Sequence, residues 1–155
     1  MALIAFRSEY QLSTDSERNR IFYKPYAPIQ TAQELPHFLA DWEQTLSAVQ
    51  PDFTVLVDLS EYEQPNSLLF DQTVQVQRIL VSAGVRLVAE VHLPAANRLD
   101  SEQAVEQSNM PVRYFTDLWE ADQFLNTLDE PADEPTLEAD TTAFMFTESS
   151  PQEAA

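Results

Sequence analysis

Cysteine is absent from this chain, and glycine occurs once in 155 residues, as Gly84. Without a thiol there is no disulfide, no thiolate nucleophile and no cysteine-based zinc site. Zero cysteine also suits a reducing compartment such as the cytoplasm. A single glycine excludes the glycine-rich loops that cradle phosphates, because those need several backbone positions without a Cβ. Cations are scarce as well: eight Lys and Arg stand against 26 Asp and Glu, for a formal charge of −18. Neutralising phosphates takes clustered cations, so the charge argues against nucleic acid and anionic membranes as partners. A charged partner is expected to be basic. No stretch approaches the roughly 20 apolar residues of a membrane-spanning helix. The start, Met1 to Arg7, has no basic run before its apolar residues and reads as a strand, not a signal peptide.

What is present is a globular pattern. Apolar residues make up 44% of the chain, and the length suits one domain with a real core. Leu3 to Phe6, Tyr10 to Ser13 and Asn19 to Tyr26 are rich in β-formers and predict early strands. Asp15 to Asn19 supplies the turn between the second and third. Leu35, Phe38, Leu39, Trp42, Leu46 and Val49 recur at helical spacing and predict a first helix over Thr31 to Val49. Thr31 with Glu34 fits a capping box, while Pro36 favours a start near Glu34 or Leu35. Phe53 to Leu59 is almost continuously apolar, as in a strand covered on both faces. A second helix follows over Asn66 to Ala83, then the strand Val85 to His92. Gly84 lies between them, where a helix C-cap needs a residue that enters the left-handed region freely. This is a βαβ unit, with a right-handed crossover expected. A short helix after Asp100, with Gln103 completing a capping box, leads to a last strand over Pro111 to Phe115. Thr116 then caps a final helix carrying Leu118, Ala121, Phe124, Leu125 and Leu128.

From Glu130 to Ala155 the composition changes: seven acids, no Lys or Arg, and prolines at 131, 135 and 151. Such a segment buries too little apolar surface to offset the entropy of ordering, and a tail is expected. Within it, Phe144, Met145 and Phe146 form a strand-prone run suited to docking on a sheet edge. The body is thus 1–129 and the tail 130–155.

The order of elements, with Val55-Leu56-Val57-Asp58-Leu59-Ser60, Gly84-Val85-Arg86-Leu87, a strand closing at Pro94, and the ending Val112 to Ala121, resembles the STAS domain. That family includes anti-sigma-factor antagonists and the cytosolic tails of anion transporters. The closest likeness is to uncharacterised bacterial STAS-like proteins, over roughly residues 19–129. The resemblance implies an α/β fold: a single mixed sheet of about five or six strands with helices mainly on one face. It also implies a non-enzymatic protein-interaction or regulatory role. The family's phosphorylatable serine lies in Asp-Ser-x-Gly and aligns with Ser67. Here the segment is Asn66-Ser67-Leu68-Leu69, without the aspartate or the glycine, so an N-cap role suits it better.

The chemistry-bearing residues are few. Asp58, Glu90 and His92 fall near the C-terminal ends of two neighbouring strands, where open α/β sheets gather ligands. A histidine beside a carboxylate can move protons. The alternative is a polar sheet face of cross-strand pairs along Arg86, Val88, Glu90 and His92. Tyr23 and Tyr26 are placed as a rim or interface, and Trp42 and Phe124 in the core. His37 and His92 lack metal-ligand spacing, so neither a metal nor a cofactor is expected. A protein partner, a small molecule bound near Asp58 and His92, and a second copy of the chain are each compatible with the sequence.

Overall fold

The computed structural model describes residues 1–26, 37–61, 70–93 and 98–129. Met1–Leu125 make one compact unit, and Asn126–Ala155 are assigned to a second. One mixed sheet carries six strands in sequential order. They are β1 (Ala2–Phe6), β2 (Tyr10–Asp15), β3 (Arg20–Pro25), β4 (Thr54–Leu59), β5 (Leu87–His92) and β6 (Val112–Phe115). The helices are α1 (Phe38–Leu46), α2 (Phe70–Ser82), α3 (Leu99–Ser108) and α4 (Leu118–Asp129). The fold is the α/β class expected from the sequence.

The first three strands are antiparallel, and β3 to β6 are parallel. Each parallel step goes to the next strand in the same direction, with one helix between. Crossovers of a common hand must then lay their helices on one face. That face carries Leu12, Ile21, Val55, Val57 and Val88, which share a core with Phe38, Trp42, Val76, Leu80 and Met110. Among the described residues no strand follows β6, and α4 takes the opposite face. There Phe124 packs on Phe115, and Asp122 meets Arg20.

Polar side chains fix the connections. Asp15 Oδ1 accepts from the backbone N–H groups of Glu17 and Arg18, and Asn19 turns the chain with φ 54°. Asn19 then bonds Gln50 through both side-chain atoms, tying the hairpin to the start of β4. Gly84 closes α2 as expected: its φ is +91°, its N–H bonds Val81, and the Val85 N–H reaches back to Leu80. This double bond pattern satisfies carbonyls the helix leaves open. A Cβ at Gly84 would also stand 3.3 Å from Pro51 Cβ.

Several expectations are corrected. The cap of α4 is Asp117, not Thr116: Asp117 Oδ1 accepts from the Trp119 N–H and its carbonyl from Ala121. α3 starts at Leu99 with Arg98 at the cap position, so Asp100 lies inside the helix and not at a capping box. Leu118 is exposed, because the stripe of α4 that meets the sheet begins at Ala121. The predicted cap at Thr31 and Glu34, Pro36, the Ser67 segment, Pro94 and the run Phe144 to Phe146 lie outside the described residues. Among the described residues, no helix is long and apolar enough to cross a membrane.

Candidate functional site

The C-terminal ends of β5 and β6 carry a buried polar cluster. Parity along β5 places Val88, Glu90 and His92 on one face. The register sets Val57 beside Glu90, Leu59 beside His92, and Glu90 beside Tyr114. This face lies under the helices, so Glu90 and His92 are buried, at 6% and 7% exposure. The face is polar at Glu90 and His92, and it is buried. Both sides of β5 are covered, Ala89 and Val91 as completely as Glu90.

A buried carboxyl group needs donors. Glu90 Oε1 takes two, with His92 Nε2 at 2.9 Å and the Ser101 hydroxyl at 2.7 Å. Ser101 Oγ also lies 3.3 Å from the Tyr114 hydroxyl. The Tyr114 ring meets His92 edge-on, with centroids 5.6 Å apart, and supports the Arg98 guanidinium at 4.5 Å. Burial pushes the Tyr114 phenol above its usual range. The cluster thus joins β5, β6 and the first turn of α3. The Ser101 hydroxyl donates to the carboxylate that already faces the imidazole, so the three side chains are ordered Ser–Glu–His.

Asp58 does not belong to this cluster. It pairs with Val91 in register, one position out of step with His92, and so points to the other face. There its carboxylate accepts from the Ser60 N–H and hydroxyl and lies 3.7 Å from Lys24 Nζ. The grouping of Asp58 with His92 is corrected by that single-residue offset.

The tyrosines divide in the same way. Tyr23 faces the helices and packs on Phe38 and Trp42, with centroids 6.2 and 5.1 Å away. Tyr26 is on the opposite face, with its hydroxyl donating to Gln11 Oε1 and its ring edge-on to Phe6.

A second buried cluster was not legible in advance. Asp41, on the inner face of α1, accepts from Arg7 through both oxygens, Nε at 2.5 Å and Nη2 at 2.8 Å. The Tyr10 hydroxyl adds a third bond, at 2.5 Å to Oδ2. The guanidinium hydrogen bond, chief among the causes, holds the Asp41 carboxyl below its ordinary range despite burial. Burial and the adjacent carboxylate push the Tyr10 phenol far up. The signal available was an acid on the apolar stripe of a helix, three residues from Phe38 and one from Trp42.

No family model, curated protein or solved structure matches the chain.

Large apolar side chains are exposed at both ends of the sheet among the described residues. Leu3 and Phe6 are exposed on β1. At the other end of the sheet, Trp119 stands 68% exposed on the first turn of α4, beside Leu118 at 43%. Among the described residues, no three His, Asp or Glu side chains gather to hold a metal ion.

Proposed function

We propose that this chain is a non-enzymatic, STAS-like interaction module whose partner is a basic protein. Trp119 carries the reading. A tryptophan is large and rigid, and exposing most of it to water is unfavourable unless a partner covers it. Tryptophan is also the residue type most enriched at the energetic centres of protein interfaces. Its sequence neighbours Asp117, Leu118 and Glu120 combine apolar area with negative charge. The chain as a whole carries −18, so complementarity favours a basic partner.

The observed order of elements supports the STAS-like part of the reading. Early strands precede helix, strand, helix, strand, short helix, strand and helix, the order on which the resemblance rests. The Ser–Glu–His arrangement supports the non-enzymatic part, because the Ser101 hydroxyl donates to the carboxylate and not to the imidazole, unlike a hydroxyl activated by histidine. A chain with no cysteine suits a cytoplasmic setting. A second reading, a small-molecule domain, is favoured by the hydroxyl and imidazole groups collected at the strand ends. A small molecule retained through purification, and lost in His92→Ala, would favour it.

Affinity capture with the full-length chain and Trp119→Glu as paired baits tests the main reading. The expected result is a basic protein held by the wild type, released at ~0.5 M salt as surface charges are screened, and missing from the variant. Identical protein sets on both baits would count against it.

A further inference from the structure

We propose that two copies of this chain pair through β1, about a two-fold axis that runs between the two strands, level with the link from Ile4 to Ala5. The proposal rests on the reading of the chain as an interaction module and adds a surface separate from Trp119. β1 ends the sheet, and among the described residues only β2 pairs with it. Leu3 is 57% and Phe6 69% exposed on it.

A bulge sets where these side chains point. Leu3 stands opposite Ser13 and Phe6 opposite Gln11, with a register shift between Leu3 and Ala5. Ser13 and Gln11 are two apart on β2, so they share a face, and Leu3 and Phe6 share it with them. In a regular strand, residues three apart point to opposite faces. A two-fold axis between the paired strands, level with their midpoint, sets Leu3 of one copy beside Phe6 of the other, and the symmetry repeats that contact. Tyr26, edge-on to Phe6 with centroids 6.4 Å apart, widens the apolar area.

Charge selects the occupant. With −18 on each copy, most self-contacts would set carboxylate against carboxylate. β1 contains no charged residue. Edge strands are commonly guarded by lysine or other charges against such pairing. Arg7, next in sequence, is already answered by both oxygens of Asp41 and brings no uncompensated charge to its symmetry mate. An uncharged strand offers a basic partner no electrostatic gain, whereas a second copy gains two Leu–Phe contacts with no like charges within the paired strands.

Sedimentation equilibrium on the full-length chain reads the outcome. The expected species has twice the 17.6 kDa chain mass. It should tighten with added salt, as repulsion between acidic copies is screened. Phe6→Glu is expected to raise the dissociation constant about 30-fold or more, as for loss of an interface anchor. Leu3→Glu should do the same, and serves if Phe6→Glu misfolds. Both side chains are exposed, so circular dichroism should stay unchanged. A wild type at monomer mass at every concentration, or a dimer indifferent to both substitutions, overturns the proposal. A monomer that still captures a basic protein through Trp119 overturns only the pairing. A dimer that captures none overturns only the interaction reading.

Discussion

Asp41 and Glu90 are both buried acids packed between the sheet and its covering helices, yet they are satisfied by different kinds of group. Asp41 receives a guanidinium on both oxygens and a phenol besides. Glu90 receives an imidazole and a hydroxyl on a single oxygen. The first arrangement supplies a permanent opposite charge in a fixed fork, which a carboxylate alone can match. The second needs only an acceptor at one position. Each ties a helix to the sheet, α1 through Asp41 and α3 through Ser101. The comparison teaches that burial alone does not say whether an acid's charge is required; the donors around it do.

That difference can be broken open by isosteric substitution. The largest effect is expected for Asp41→Asn. The amide sets its own N–H groups against the Arg7 fork, and the cost should reach about 2 kcal/mol or more, read from urea unfolding. The same cluster sets an acid dependence. Because its folded pKa is depressed, Asp41 contributes stability that is complete above the unfolded carboxyl value of about 3.9. That contribution is lost as pH falls through the folded value. The stability gap between wild type and Asp41→Asn should therefore stay constant from pH 7 to 5 and close in stronger acid. A gap that widened in acid would contradict the assignment. A smaller effect is expected for Ser101→Ala, about 1 kcal/mol, since it removes one of two donors to Glu90. The smallest belongs to Glu90→Gln, below about 1 kcal/mol, because the amide oxygen can still accept from His92 and Ser101. A Glu90→Gln loss equal to that of Asp41→Asn would erase the comparison.

Much of the fold was legible because local chemistry and global topology agree. The apolar run at Val55 to Val57 marks a doubly covered strand, and Gly84 marks the turn from helix to strand. The site was legible only in part. Alternation along β5 joins Glu90 to His92, but no local pattern says whether Asp58 or Leu59 stands opposite His92. That is a matter of register between strands, and one residue of offset moves Asp58 to the other face. Asp41 escaped notice for a related reason. An acid on a helix stripe reads as solvated until Arg7 and Tyr10, more than 30 residues away in sequence, are brought to it. Trp119 shows the reverse case. Helical spacing assigned its neighbour Leu118 to the core, yet the sheet-facing stripe begins only at Ala121, and both side chains are left in solvent.

The most direct measurement is quantitative capture by three full-length baits: wild type, Trp119→Glu and Phe6→Glu. The interaction reading predicts a basic protein held by wild type and by Phe6→Glu and lost only from Trp119→Glu. Equal recovery on all three baits would contradict it.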